Sequence, residues 1–438
     1  MSPTSEPMQA VSTDVPTLPG RVGVETLANG LAVCTVHNPQ APLVTCALWY
    51  RAGTRNEGPL EGGMAHFLEH MMFKGSPNYP AGEIDRRTQA LGGSNNAFTS
   101  HDATAYYFNF ASDRWTEALE VEADRMAGLT LDPVEVDRER QVILEEIAMY
   151  EGEPWDALEL AVQQELFQGH SYGKPVLGTR ESLTHCGASE LAAFHHRLYS
   201  PENAVLVVAG DVPENSLQEI EARLGSLPAR GAAPAFTQRP KIGAGWKRVE
   251  RHTGEVARLL MAVAAPSADH RDHSIFRLLV SLLTSGRSSR LQRALVDELQ
   301  LCVWVSGSLS ESPLASQLSL ALEVVPGVEP ARVEEALRKE LAALATEPPS
   351  SAEMDRARQV LLADWIFGHE RVHSQALSAG FALLHFDLDH PQRQLQRALQ
   401  VRPEEISSLV ARTFEPEGAG VIGWSLAAPS SAAPGALP

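Results

Sequence analysis

The stretch DRERQVILEE, residues 137–146, decides the fold because a near copy of it, DRARQVLLAD at 355–364, follows 218 residues later. A second pair, RLYSPENAVLVV (197–208) and RTFEPEGAGVIG (412–423), recurs in the same order at an offset of 215 residues. Two matches at nearly the same offset indicate that one domain has been duplicated. Each copy mixes helices with strands such as AVLVVAGDV (204–212), so the sequence predicts an α+β fold of two similar domains.

A segment rich in Pro, Gly and Ala separates the two copies and is typical of a linker. Both ends of the chain are rich in small residues and proline and contain no apolar run, which favours disorder. These features predict a disordered leader at 1–20, an N-terminal domain at 21–228, a linker at 229–241, a C-terminal domain at 242–428 and a disordered tail at 429–438.

Composition limits the classes of function. The 438 residues are 44% hydrophobic, which suffices for a large core, and they contain no run of about 18 apolar residues that would span a membrane. A formal net charge of −19 argues against nucleic acid as a partner, because phosphate binding needs a basic surface. The charge would attract basic peptides or merely keep the protein in solution. Four separated cysteines and the lack of a signal-peptide pattern predict a cytoplasmic location.

The motif HFLEH at 66–70 has the form of half a metal site. On a helix, His66 and His70 lie one turn apart on the same face, so both imidazoles can bind one ion. Catalytic zinc takes three protein ligands and leaves a fourth position for water, so a further ligand must come from elsewhere. Glu69 lies beside the ligand pair and is predicted to act as general base toward the attacking water and to pass the proton to the leaving amine.

The helix predicted after Asp132-Pro133 offers two candidates for the missing ligand. At about 100° per residue, Glu139 and Glu146 share one face within an apolar stripe, where an unpaired carboxylate is costly. The stripe consists of Val136, Val142, Ile143, Ile147 and Met149. A buried ion pair with an arginine, or a helix rotated relative to this estimate, would explain the same pattern without a metal.

The spacing HxxEH is the inverted zinc-peptidase signature, and the chain resembles the family of pitrilysin and the mitochondrial processing peptidase. The resemblance covers nearly the whole chain and is carried by GGMAHFLEHMMFKGS (62–76), GGSNNAFTSHDATAYYF (92–108), YGKPVLGTRESL (172–183), YSPENAVLVVAGDV (199–212) and SSRLQRAL (288–295). In that family a glutamate about 76 residues beyond the second histidine completes the site, and a glutamate seven residues before it assists catalysis. The resemblance therefore implies one zinc ion per chain with Glu146 as the third ligand, and Glu139 as the assisting residue.

The resemblance also implies the architecture and the mode of substrate binding. Members consist of two similar domains, each a mostly antiparallel sheet packed with helices, and two such units close around an extended peptide. The stretch GGSNNAFTS (92–100) resembles the edge strand to which the peptide adds, which implies Asn96, Ala97 and Phe98 as substrate-binding residues. A Gly/Asn turn followed by a core strand is the alternative interpretation of this stretch.

A second motif, HERVH at 369–373, matches the commoner HExxH pattern. Ala376 stands where the extended pattern requires glycine, and no histidine follows at the required position. In the second copy of the domain, moreover, Ala357 and Asp364 stand where the first copy has its two glutamates. We therefore predict that HERVH is structural and that the second domain has no metal site.

The second copy departs from the family at two positions. Single-chain and homodimeric members usually carry an arginine and, seven residues later, a tyrosine that bind the substrate and the tetrahedral intermediate. In an alignment on Ser288–Leu291 these positions are Val296 and Val303, which cannot donate a hydrogen bond to an oxyanion. We predict a heterodimer whose sister subunit lacks HxxEH and supplies the Arg/Tyr pair, a homodimer being the less expected arrangement. A shifted alignment, or another residue in the same role, is the alternative.

The sequence thus predicts a zinc-dependent endopeptidase, the catalytic subunit of a heterodimer, that cleaves peptides or unfolded segments inside a two-subunit chamber. The alternative is a non-catalytic family member that serves as a peptide-binding or assembly subunit. The enzyme is favoured because decay of an active site usually removes metal ligands first, and the predicted ligands and both assisting glutamates are present.

Overall fold

The computed structural model describes residue 15 and residues 20–231 and 236–427, and its first half is built on a six-stranded sheet. The strands are β1 Arg21–Thr26, β2 Ala32–His37, β3 Leu43–Tyr50, β4 Ser94–Thr99, β5 Thr104–Ala111 and β6 Ala204–Gly210. Their order is β1-β2-β6-β3-β5-β4, with β2 and β6 parallel and all other neighbours antiparallel. The apolar strand β6 is buried along its whole length because both faces of the sheet are covered.

The second half is built on a five-stranded sheet of the same design. Its strands are β7 Trp246–Arg251, β8 Arg258–Pro266, β9 Cys302–Leu309, β10 Ala315–Val324 and β11 Gly420–Ser425. Their order is β7-β11-β8-β10-β9, and β7 and β11 form the parallel pair. This order repeats the order β2-β6-β3-β5-β4 of the first sheet, so the predicted α+β fold of two similar domains is confirmed.

Helices flank both sheets. They are α1 Met64–Met71, α2 Glu83–Ala90, α3 Thr116–Ala127, α4 Pro133–Gly152, α5 Pro154–Leu166, α6 Arg180–Leu183, α7 Ala188–Leu198, α8 Ser216–Leu224, α9 His273–Thr284, α10 Pro330–Thr346, α11 Ser351–Gly368, α12 Val372–His385, α13 His390–Leu399 and α14 Pro403–Thr413. The first matched pair of stretches, 137–146 and 355–364, lies on α4 and α11. The domain boundaries stay a prediction, and the leader (apart from residues 15 and 20), the tail and part of the linker lie outside the described residues.

Each sheet packs on one face against a helix from the other half. Helix α12 lies on β3 and β6, and α5 lies on β8 and β11. The approach is close in both places, because a Cβ atom on Gly380 of α12 would collide with Trp49, and one on Gly423 of β11 would collide with Val162 of α5. Neither half therefore has a complete core without the other.

The opposite face of the first sheet carries α1, which contains the HFLEH motif and also contacts α4. The four cysteines are buried and form no disulfide. None of the described helices is long and apolar enough to cross a membrane.

Candidate metal centre

Helix α1 holds the HFLEH motif in a fixed orientation. It begins after Gly63, whose φ of +84° is readily adopted by glycine alone. The Glu57 carboxylate accepts hydrogen bonds from the backbone N–H groups of Gly63 (3.2 Å) and Ala65 (3.0 Å), which satisfies donors that the first turn leaves unpaired. Phe67 and Leu68 are fully buried in the core of the first half. This packing leaves the two histidines facing α4.

The three residues predicted to bind zinc converge. The Nε2 atoms of His66 and His70 lie 3.8 and 3.7 Å from Oε2 of Glu146, and one donor atom of each residue lies within 4.8 Å of the other two. Among the described residues, this is the only group of three His, Cys, Asp or Glu side chains placed to share an ion.

The donor set fits a catalytic zinc ion. Ligands bound tetrahedrally at about 2.0–2.1 Å lie roughly 3.4 Å apart, close to the separations seen here. Two imidazoles and one carboxylate are a known ligand set of zinc peptidases and leave a fourth position for water. Burial and the neighbouring His70 lower the pKa of His66 to about 3, so this ring is neutral and keeps a lone pair for a metal.

Glu139 contacts His70 and is not one of the three convergent donors. Its Oε1 lies 2.8 Å from Nδ1 of His70, and its Oε2 lies 2.7 Å from Nζ of Lys74. Burial would raise the pKa of Glu139, but the hydrogen bonds from His70 and Lys74 bring it below its ordinary value. The ionised carboxylate fixes the ring of His70 with Nε2 toward Glu146, which makes Glu139 a positioning residue.

Replacing Glu139 with glutamine should weaken zinc binding about 10- to 100-fold, because the amide holds the His70 ring less firmly and no longer neutralises Lys74. The measurement is a zinc dissociation constant from competition with a chromophoric chelator. Glu145→Gln, an equal change on the exposed side of the same helix, is the control and should bind zinc like the parent chain. Equal affinities for both variants would contradict the positioning role.

The predicted apolar stripe on α4 is wrong at two positions. Val136, Ile143 and Ile147 are buried as expected, whereas Val142 and Met149 are 47% and 65% exposed. The buried residues of α4 are Val136, Glu139, Ile143 and Ile147, so the buried face is narrower than the apolar pattern. The exposed residues flank the side of α4 that carries Glu146.

Glu69 lies next to the convergent donors without belonging to them. It is half-buried, and Thr99 Oγ1 donates a hydrogen bond of 2.5 Å to its Oε2. Burial raises the pKa of Glu69 above its ordinary value, although Thr99 and His70 act in the opposite direction. A carboxylate with a raised pKa beside a metal site has the chemistry of a general base.

The stretch predicted to bind substrate forms β4, the last strand in the order of the first sheet, and among the described strands it pairs with β5 alone. Asn96 is exposed, and its Oδ1 accepts a hydrogen bond of 2.9 Å from the N–H of Ala97. The ring of Phe98 packs edge-to-face on Trp49 at 5.3 Å between centroids, so its side chain is engaged within the protein. Peptide binding at this edge stays a prediction.

HERVH does not form a continuous helix. Helix α11 ends at Gly368 and α12 begins at Val372, so His369 lies in the break between the helices and His373 lies on α12. His369 contacts the carbonyl oxygen of Trp365 (2.8 Å) and the hydroxyl of Ser378 (3.2 Å), while His373 packs on the ring of Tyr107. Neither histidine belongs to the convergent donor group found among the described residues, and the structural interpretation of HERVH stays a prediction.

The two valines that stand at the Arg/Tyr positions lie in the second half. Val296, in a π-helical segment at 292–298, is half-buried against the second core, and Val303 on β9 is 52% exposed. Neither side chain carries a polar atom, and the nearby Arg290 is paired with Glu353 at 2.7 Å. The side chains at these two positions thus supply no hydrogen-bond donor.

Three residues that support the site were not identified from the sequence. They are Glu57, Lys74 and Thr99. Lys74 follows His70 by only four residues, which could have indicated that Lys74 lies near the HFLEH motif. Glu57 and Thr99 reach α1 through tertiary packing and leave no periodic signal.

Known proteins resemble this chain in sequence and in fold. Residues 32–180 match the family described as insulinase (peptidase family M16), and residues 186–361 match the peptidase M16 inactive domain. An uncharacterized zinc protease of Mycobacterium leprae is 30% identical over 407 residues, which are 91% of each chain. A zinc protease of Helicobacter pylori is 30% identical over 78% of each chain. The crystal structure of a Helicobacter pylori protease superimposes with a TM-score of 0.87 at 24% identity, over 94% of this chain and 100% of that one.

Proposed function

Because the chain belongs to peptidase family M16, we propose that it is a zinc-dependent endopeptidase with His66, His70 and Glu146 as metal ligands. The observation that carries the proposal is the convergence of these three side chains with a fourth, Glu69, that is adjacent and takes no part in the ligand set. A merely structural metal site would be closed by four protein ligands and would not need a neighbouring carboxylate of raised pKa.

Zinc bound by these residues would supply Lewis-acid chemistry, since it polarises a carbonyl group and lowers the pKa of water. Glu69 accepts a proton from the attacking water while the water oxygen bonds to the scissile carbonyl carbon. Glu69 then gives this proton to the amine nitrogen as the C–N bond breaks. Glu139 keeps His70 oriented throughout and does not contact the reacting atoms.

The substrate that suits this site is an extended peptide or an unfolded segment. Strand β4 offers a free edge close to α1, and a peptide added there would gain backbone hydrogen bonds that do not depend on its sequence. The N–H of Ala97, which now donates to the side chain of Asn96, is one group that such a peptide could engage. A cytoplasmic location belongs to the proposal and is supported by the four buried, unpaired cysteines.

Hydrolysis by the purified chain tests the proposal. The zinc-loaded chain and a chelator-treated sample are incubated with a library of internally quenched peptides, and the cleaved bonds are identified by mass spectrometry. We expect cleavage of internal peptide bonds in the loaded sample, loss of cleavage on chelation and recovery when one equivalent of zinc is returned. Cleavage that is indifferent to chelation would contradict the proposal.

We further propose that the fully active form is a heterodimer whose sister subunit supplies the hydrogen-bond donors missing at Val296 and Val303, while the chain alone cleaves slowly. One oxyanion donor is worth roughly 10²–10³ in kcat, so a chain without these donors should be slow on its own. The second candidate function, a non-catalytic peptide-binding subunit, is favoured by the same two valines. It predicts no hydrolysis even after a subunit with the Arg/Tyr pair is added.

Installing the missing donors in this chain should raise its activity. The double variant Val296→Arg/Val303→Tyr carries both groups, so a second copy of it can take the place of the sister subunit, and we expect kcat to rise by about 10- to 100-fold because the tetrahedral intermediate gains donors. The measurement is the rate of peptide cleavage, with the same pair of substitutions in a Glu69→Gln chain as the control for contaminating proteases. A folded, zinc-loaded double variant that is no faster than the parent chain would contradict the claim that these positions limit the rate.

A further inference from the structure

Two neighbouring threonine hydroxyl groups, from Thr99 on the edge strand and Thr104 in the core, lie next to Glu69. Thr99 Oγ1 donates to Glu69 Oε2 at 2.5 Å and lies 3.2 Å from the hydroxyl of Thr104. Thr104 is fully buried and donates to the carbonyl oxygen of Ala52 at 2.8 Å. The two threonines are register partners on β4 and β5, so the position of Thr99 is fixed by the sheet itself.

The direction of the hydrogen bond between Thr99 and Glu69 follows from the donor inventory. An ionised carboxylate can only accept, so the single hydroxyl proton of Thr99 points to Oε2 of Glu69. The other carboxylate oxygen, Oε1, makes no hydrogen bond to the described part of the chain. Thr99 therefore holds one oxygen of Glu69 and leaves the other available for a proton from water.

We propose that Thr99 is a positioning residue for the general base, a role that rests on the proposed function of Glu69. Thr99 is the last residue of β4, the strand offered to an extended peptide, and it reaches across to the motif on α1. One residue thus joins the strand that holds the substrate to the carboxylate that activates water. Its hydroxyl sets the orientation of Glu69 relative to both.

The neighbouring residue Ser100 has a purely structural role at this end of the sheet. The hydroxyl of Ser100 donates to the carbonyl oxygen of Ala103 at 3.0 Å and accepts from the N–H of Ala103 at 3.1 Å, which closes the turn between β4 and β5. None of the hydrogen bonds of the Ser100 hydroxyl in the described part of the chain involves Glu69. Ser100→Ala is therefore the matched control, because it removes the hydroxyl group next to Thr99 and leaves the hydrogen bond to Glu69 in place.

Kinetics of three variants test the proposal. Thr99→Val keeps the shape of the side chain and removes the hydroxyl, Thr99→Ser restores the hydroxyl, and Ser100→Ala is the control. We expect Thr99→Val to lower kcat by about 10- to 100-fold, within the range that general base catalysis contributes, while KM and zinc content are unchanged. Thr99→Ser should recover most of kcat, and Ser100→Ala should match the parent chain.

A second readout does not depend on activity. In crystal structures of the zinc-loaded proteins, the Glu69 carboxylate should be displaced or disordered in Thr99→Val and superimpose on the parent in Thr99→Ser. An unchanged kcat with an unchanged Glu69 would overturn the proposal, and so would a rise in KM alone, which would place Thr99 in substrate binding. A parent chain that binds zinc but cleaves no peptide, even after a subunit with the Arg/Tyr pair is added, would instead count against the proposed function, and the crystallographic comparison would then decide the role of Thr99.

Discussion

Glutamine in place of Glu69 should abolish peptide hydrolysis while one zinc ion per chain remains bound. The amide is close in size to the carboxylate and can still accept the hydrogen bond from Thr99, but it cannot take a proton from water. General base catalysis contributes about 10²–10⁴ in rate, so we expect a loss of at least that size. Initial rates on quenched peptides, together with metal analysis of the same samples, measure both quantities.

The control for this experiment is Glu145→Gln, which makes the same chemical change on the exposed side of α4. It should retain the parent rate. A Glu69→Gln chain that cleaves peptides within a few-fold of the parent would show that another group activates water, and the assigned mechanism would be wrong.

Alanine in place of Glu146 should remove zinc from the chain. Without this carboxylate only His66 and His70 face the site, and two ligands do not hold catalytic zinc. Loss of supporting contacts alone costs 10- to 100-fold in affinity, so loss of a ligand should exceed roughly 100-fold. Metal content after dialysis against a weak chelator reports the result, and hydrolysis should disappear with the metal.

His369→Ala is the matched control, because it removes a histidine from the motif that is interrupted by a helix break. Its zinc content should equal that of the parent chain. Loss of zinc from His369→Ala, or full retention in Glu146→Ala, would mean that the ion is bound elsewhere.

The fold could be predicted because the duplication is visible in the sequence itself. The stretches on α4 and α11 align without a gap and are identical at six of ten positions, and the strands that follow them are apolar. The exchange of α5 and α12 between the two halves could not be predicted, because an amphipathic helix does not record which sheet will cover it. For the same reason the apolar pattern of α4 wrongly predicted that Val142 and Met149 are buried, whereas both side chains are exposed.

The sequence predicted those parts of the candidate site in which the spacing of residues along a helix determines their relative positions. His66 and His70 share a helix face by their i, i+4 separation, and the seven-residue separation of the two glutamates places both on one side of α4. The contacts of Glu139 with Lys74, and of Thr99 with Glu69, depend on how α1 meets α4 and β4. Such contacts between distant segments leave no periodic signal in a single sequence.

The two halves differ in chemistry at the position equivalent to Glu139. Ala357 occupies the position of Glu139 on the equivalent helix and is fully buried in the second core. Glu139, also buried, needs both His70 and Lys74 as partners. At this position the second copy therefore has an apolar residue within its core, whereas the first copy has a buried polar cluster.

Anomalous diffraction at the zinc absorption edge, from crystals of the zinc-loaded Glu69→Gln chain soaked with an uncleaved peptide, tests the central claim most directly. We predict one strong peak bounded by the Nε2 atoms of His66 and His70 and a carboxylate oxygen of Glu146, with the peptide extended along β4 and its scissile carbonyl directed at the peak. A peak at HERVH, or no peak among these three side chains in a crystal that contains zinc, would contradict the account.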